Sequence, residues 1–134
     1  MHNTMRAIVL SATICLLTAA CTTGPNSNFD EGPLAYGCSD LVVVGRLANK
    51  GSEQVISDGD ILGHGWMTAD LRVVRMVVGE RPAASIPVTY FAHTYMREDR
   101  DFMFVLSPQS DANGYVIAEA DLMSNSPRAA ETCR

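Results

Sequence analysis

Leu41-Val42-Val43-Val44-Gly45-Arg46-Leu47 is the stretch on which the fold turns. Three consecutive valines favour extended backbone, because a side chain branched at Cβ packs well on a pleated surface and is restricted in a helix. The run is also too short for a helix of this composition. Gly45 within it marks a bulge or a sharp bend. Asn49-Lys50-Gly51-Ser52 then closes the strand.

Working downstream, Ser57-Asp58-Gly59-Asp60 and Gly63-His64-Gly65 form a glycine-rich loop, with a short strand over 54–56. The second long strand covers 66–78. There Ala69, Leu71 and Val73 alternate with Asp70 and Arg72, which turns one face inward. The phase breaks at Val74-Arg75-Met76, as a bulge would make it do. A third strand covers 86–91, with Ile86, Val88 and Tyr90 on one face and Pro87, Thr89 and Phe91 on the other. Pro87 has no N–H to give to a ladder, which predicts an edge at that position. Phe102-Met103-Phe104-Val105-Leu106 is apolar throughout and reads as a buried fourth strand. Asp111-Ala112-Asn113-Gly114 is a hairpin turn leading to a fifth strand over 115–120. The tail, 121–134, reads as a short helix on either side of Pro127. Five short strands, the first two long and bent, predict an all-β fold: a small Greek-key barrel of the oligonucleotide/oligosaccharide-binding type, an open β-sandwich being the alternative.

Upstream of the strands, residues 7–20 carry no charge and end Leu17-Thr18-Ala19-Ala20-Cys21. Fourteen apolar and small residues fall short of the ~20 that span a bilayer as a helix, and no basic stop-transfer cluster follows. The segment reads as a cleaved secretory signal over 1–20. Its last residues resemble a lipobox, with Thr18 where Leu is commonest and Leu17 one step back; a plain cut after Ala20 is the alternative. Lipidation of Cys21 buries acyl chains at about 0.8 kcal/mol per methylene, so that two or three chains anchor a protein stably. Residues 21–33 then form a flexible tether, and 34–134 the barrel domain. The expected location is the cell envelope, in the outer membrane where the host has one, since Thr22 rather than Asp follows the modified cysteine.

Removing the signal takes Arg6 with it and leaves 15 acidic against 9 basic residues. A negative chain with no basic run does not attract phosphate backbones, so nucleic acid is excluded as a partner class. Cys15 leaves with the signal and Cys21 is consumed by lipid. Cys38 and Cys133 remain, and beyond the inner membrane they are expected as a disulfide, two buried thiols being the alternative.

The run Cys38-Ser39-Asp40-Leu41-Val42-Val43-Val44-Gly45-Arg46 resembles the opening strand of netrin-like domains, the fold shared with tissue inhibitors of metalloproteinases. The stretches 69–79, 87–90, 102–106 and 114–117 are similar to that family's later strands. The resemblance implies a five-stranded barrel and a pairing of the first-strand cysteine with one near the C-terminus. The inhibitors' zinc-chelating free N-terminal cysteine does not carry over, because Cys21 lies on a tether and has no second cysteine two residues on.

Candidate chemistry is sparse. Asp58, Asp60 and His64 offer carboxylates and an imidazole to a divalent cation, but the calcium-loop signature is not met and a solvated turn is the simpler reading. His93 has Glu98, Asp99 and Asp101 nearby in sequence as acid–base partners, against the simpler reading of a surface histidine in a self-neutralising loop. Trp66, Tyr90, Phe91 and Tyr95 are candidates for a ligand face on the strands. No nucleophile elbow, phosphate loop or dinucleotide fingerprint is present, and no cofactor is expected. The expected function is therefore non-enzymatic. A binding module for a protein or an envelope component would be held on the membrane through Cys21. A metalloprotease-inhibitor-like module and a small metal-dependent hydrolase are the alternatives.

Overall fold

Two 14-residue strands set the architecture, since each is long enough to serve two sides of a barrel if it bends. The computed structural model describes residues 32–55, 58–110 and 114–133. The signal segment, Cys21, the tether up to residue 31 and most of the hairpin turn (111–113) lie outside the described residues. The strands are β1 (Leu34–Tyr36), β2 (Leu41–Gln54), β3 (Gly65–Val78), β4 (Ser85–Ala92), β5 (Phe102–Pro108), β6 (Tyr115–Leu122) and β7 (Ala129–Glu131). β2, β3, β4, β6 and β5 close in that order into a barrel. All the barrel pairings are antiparallel except β4 with β6, a parallel seam of two residue pairs, Val88–Tyr115 and Thr89–Val116. The fold is all-β, as the alternation and turn signals predict.

The expected irregularities fall where the sequence places them. The β2–β3 register slips at Gly45, where Val44 faces Arg75 and Gly45 faces Val73, leaving Val74 extruded. A Cβ on Gly45 would lie 2.6 Å from the Arg72 carbonyl oxygen and 2.7 Å from Leu71 Cδ1, so only glycine fits this bend. Pro87 sits one residue before the two-pair seam to β6, at the least paired side of β4.

Asn49-Lys50-Gly51-Ser52 does not end the first strand. The chain runs through it to Gln54, and Lys50 is accommodated as a bulge between the Asn49–Ala69 and Gly51–Thr68 pairs. Other groups support the interruption. The Asn49 amide N–H donates to the Glu98 carboxylate, and its side-chain amide donates to the Met96 carbonyl at 2.9 Å. Of the predicted short strand at 54–56, Gln54 is the last residue of β2, Val55 is not in a strand, and Ile56 lies outside the described residues.

Two apolar layers account for the uninterrupted runs in β2 and β5. Val43, Leu47, Phe104 and Leu106 point into the barrel with Leu71 and Ile86. Val42, Val44, Met103 and Val105 point outward and are also buried. Their cover is a ribbon of β1 and β7, paired in parallel from Leu34–Ala129 to Tyr36–Glu131. The ribbon is tied at one end by the Leu34 N–H on the Arg128 carbonyl (2.7 Å) and at the other by the Thr132 N–H on the Tyr36 carbonyl (2.9 Å). Beyond that end Cys38 and Cys133 form a disulfide, their Cα atoms 5.4 Å apart. Asp40 holds the turn into β2, accepting the Gly37 N–H at 2.6 Å and the Ser107 hydroxyl at 2.8 Å.

The tail helix is corrected. Ahead of Pro127 there is a single 3₁₀ turn, Met123–Asn125, ended by Ser126 at φ 53°. Beyond Pro127 the chain is extended as β7, because β1 offers it a ladder and the outer faces of Val44 and Met103 need a roof.

Candidate binding pole at the β2–β3 loop

Strand period two places the aromatic residues. Trp66 and Phe91 are directly paired across β3 and β4 and point outward, whereas their chain neighbours Met67 and Tyr90 point into the barrel. Trp66 is 42% and Phe91 52% exposed, with ring centroids 5.3 Å apart. Tyr90 is only 3% exposed and so stands apart from the proposed face. Its hydroxyl donates to Asn49 Oδ1 at 2.7 Å and accepts the Met96 N–H at 3.0 Å. That latch fixes the β4–β5 crossover over the barrel's end, and burial pushes the phenol above its ordinary value.

The described part of the β2–β3 loop, 58–64, brings a third ring. Asp60 accepts the backbone N–H groups of Leu62 (3.1 Å), Gly63 (3.1 Å) and His64 (2.8 Å), and both its oxygens lie 3.0 Å from His64 Nδ1. The His64 amide, aided by the ring and the other two amides, holds the carboxyl below the usual carboxylate range. Gly63 makes this turn feasible at φ 69°, a conformation that side chains resist. The His64 ring so positioned stacks on Phe91 (5.6 Å, 15°), and His93 meets it edge-on at 5.5 Å. Thus residues from three segments make one aromatic group, Trp66–Phe91–His64–His93.

The expected metal and acid–base groupings are only partly assembled. Asp60 and His64 come together, but Asp58 does not complete a three-ligand group with them. Among the described residues, the one close array of three ligand-type side chains is Cys38, Glu131 and Cys133, and there the two sulfurs are bonded to each other. Glu98 is engaged by the Asn49 N–H, Asp99 by Arg97 (2.9 and 2.7 Å) and Asp101 by Arg46 (2.9 Å). The Arg97 hydrogen bonds lower the Asp99 carboxyl and raise the guanidinium in return. Both are exposed, and solvent screening leaves such a pair little weight in stability. None of these carboxylates is hydrogen-bonded to His93.

Two clefts lie along β3 and β4, the first of them reaching the aromatic group at His93. One, of about 310 Å³, opens between Gln54, Gly63, Met67, His93, Thr94 and Tyr95. The other, of about 240 Å³, continues along the outer face past Thr68, Thr89 and Gln109 to the Lys50–Asp70 ion pair (2.6 Å). Tyr95 is 45% exposed. Ile61 and Leu62, which are not among the candidates drawn from the sequence, stand 94% and 62% exposed in the loop. The signal was there: an aliphatic pair set among Asp and Gly in a stretch otherwise made of turn residues.

No protein-family model matches the chain, and no curated protein or solved structure matches it significantly. What fold and site define is a class: a small, closed, disulfide-clamped β-barrel with an uncovered aromatic pole at one end.

Proposed function

We propose that the chain is an exported, lipid-anchored binding module of the cell envelope, working without chemistry of its own. The observation that carries this reading is the Trp66–Phe91 pair, which stays exposed at the end of a barrel that buries Tyr90 and Phe104. Aromatic rings with one face free and hydrogen-bonding groups alongside are the usual anchors of a protein or glycan contact. Export is supported by the uncharged segment that ends at Cys21 and by the joined Cys38 and Cys133, which suit an oxidising compartment. An oligonucleotide/oligosaccharide-binding, netrin-like barrel is supported by the closing order of the strands, by the parallel β4–β6 seam, and by the pairing of a first-strand cysteine with a C-terminal one.

The Asp60–His64 pair beside His93 favours a second reading, the small hydrolase, since a carboxylate that orients an imidazole is a general-base arrangement. Two experiments separate the readings. Mass spectrometry of the protein extracted from membranes is expected to find acyl chains on Cys21; an unmodified, uncut chain removes the anchor. A photoreactive residue at Phe91 is expected to give adducts with an envelope component that the same residue at Val77 does not give. Equal labelling from both positions removes the binding pole. If His64→Ala with His93→Ala abolishes a phenotype while the Phe91 adducts persist, the hydrolase reading takes its place.

A further inference from the structure

We propose that the barrel's exposed pole is a membrane-contact surface: Ile61 and Leu62 enter the acyl–headgroup boundary of the bilayer, with Trp66, Phe91 and Tyr95 seated at headgroup level behind them. The inference rests on the reading of Cys21 as the anchor point and names what the pole meets.

Its first support is the distribution of exposed apolar side chains. Of the eight large hydrophobic residues exposed among the described residues, Val55, Ile61, Leu62, Trp66, Phe91 and Tyr95 belong to one end of the barrel. Register places them together: Gln54 pairs with Gly65, Gly65 with Ala92 and Trp66 with Phe91, so the 55–64 loop and the chain after Ala92 leave the sheet at the same level. The order is also specific. Aliphatic Ile61 and Leu62 are on the loop, and rings stand on the strands behind them, two of which, Trp66 and Tyr95, carry the polar handle that a membrane interface selects.

The second support is charge. No Lys or Arg occurs between residues 51 and 71 or between 91 and 96. The charged groups at this end are Glu53, Asp58 and Asp60, with Arg97, Glu98 and Asp99 on the crossover just past Tyr95. The nearest cations, Arg97 and Lys50, are already paired to Asp99 and Asp70, so an acidic or nucleic partner finds no free counter-ion among the described residues, and the contact does not depend on anionic lipid. Asp60 turns inward to cap the loop amides, which leaves the tip itself uncharged.

The third support is reach. Ten residues, and so eleven Cα-to-Cα steps, separate Cys21 from Gly32, the first described residue. Fully extended they span at most about 40 Å. A domain of this size has a radius of gyration of roughly 13 Å. An anchored barrel thus remains within its own diameter or so of the lipid, and any pole can be turned to it. The bilayer is then the apolar phase nearest to an uncovered apolar pole.

The chain's single tryptophan is Trp66, so its emission reports the contact directly. The mature chain, beginning at Cys21, is coupled through the Cys21 thiol to a maleimide-bearing lipid in phosphatidylcholine vesicles with brominated acyl chains. The Cys38–Cys133 disulfide leaves no other thiol to react. Trp66 emission is expected to shift to the blue and be quenched, and to stay quenched when salt rises from about 0.1 to about 0.5 M, well past the screening of exposed charges. Ile61→Asp with Leu62→Asp is expected to restore the emission while the protein stays coupled, and the substitutions touch only exposed side chains. Unquenched Trp66 in the coupled wild-type chain overturns the proposal. A concentration-dependent blue shift without lipid overturns it too, and gives the pole to a second copy. Because the coupling is chemical, neither result depends on natural acylation, which mass spectrometry of Cys21 decides separately.

Discussion

The outer faces of β2–β5 and of β3–β4 belong to one barrel and are treated in opposite ways. On β2–β5 the outward residues are Val42, Val44, Met103 and Val105, all buried under the β1–β7 ribbon. On β3–β4 the outward residues include Trp66, Thr68, Thr89 and Phe91, and they carry only local cover, His64 stacked on Phe91 and Gln109 bonded to Thr89, with no ribbon like β1–β7 among the described residues. A strand buried on both faces reads as a continuous apolar run, and one with a wet face alternates. The first face is solved within the chain, by a roof and a disulfide. The second alternates as a wet face should, yet carries two large aromatic rings where water would be content with serine. That excess of apolar surface has no structural use in the isolated barrel, which is why function is placed there.

Cutting the clamp should separate the two faces most. The closed loop between Cys38 and Cys133 spans 95 residues, for which the chain-entropy account gives about 4–5 kcal/mol. Two three-residue strands do not hold together alone. The double variant Cys38→Ser, Cys133→Ser is therefore expected to lose about 3–5 kcal/mol in urea unfolding, and to bind a hydrophobic dye at the bared β2–β5 face. A loss below about 1 kcal/mol, within the range of an ordinary surface change, would mean the ribbon stays down without its clamp.

Met103→Ala tests whether the roofed face is a true second core. Met103 is buried on the outside of the barrel, and truncation there should cost about 2–4 kcal/mol by lost transfer and a cavity. A change within about 0.5 kcal/mol, typical of surface positions, would make the ribbon a loose cover rather than a packed layer.

The strands themselves were readable because alternation and its faults are local. The break in period at Val74 and the glycine at Gly45 are both visible in the sequence, and they are the two sides of one bulge in the structure. The roof was not readable. Leu34-Ala35-Tyr36 is too short to show a period, and Ala129-Ala130-Glu131 favours helix until a ladder partner appears. The continuation of β2 through Asn49 to Ser52 was hidden for a related reason: Glu98 and Met96, nearly 50 residues away, supply the partners that make a turn-like sequence hold as a bulge. Of the pole, Trp66 and Phe91 were legible from period two, and so in principle was the inward position of Tyr90. The stacking of His64 on Phe91 depends on Asp60 folding the loop back, which no spacing rule announces.

Tyr90→Phe sharpens the contrast between an aromatic residue that serves the fold and one that does not. It leaves Asn49 Oδ1 and the Met96 N–H without their partner, and is expected to cost about 1–2 kcal/mol. Phe91→Ala, one residue on, is expected to change stability by less than about 0.5 kcal/mol. Paired urea titrations decide it, and equal losses would erase the distinction drawn here between inner and outer rings.

The smallest effect is electrostatic and belongs to the pole. Asp60 is an acid whose folded-state carboxyl lies below its ordinary value of 3.8. The charged form is thus favoured by folding. Its contribution is present above the unfolded value and fades as pH falls through the folded one, because protonation removes the charge that strengthens the bonds from three amides. Asp60→Asn should therefore flatten the stability–pH profile only below about pH 4, with the two proteins parallel from pH 5 upward. Below that pH the His64 ring should also leave Phe91, and ring-current shifts in the proton spectrum would record it. If the His64 and Phe91 resonances hold their positions in acid, the stack stands without the Asp60 carboxylate, and the loop is ordered by its glycine turn and apolar packing instead.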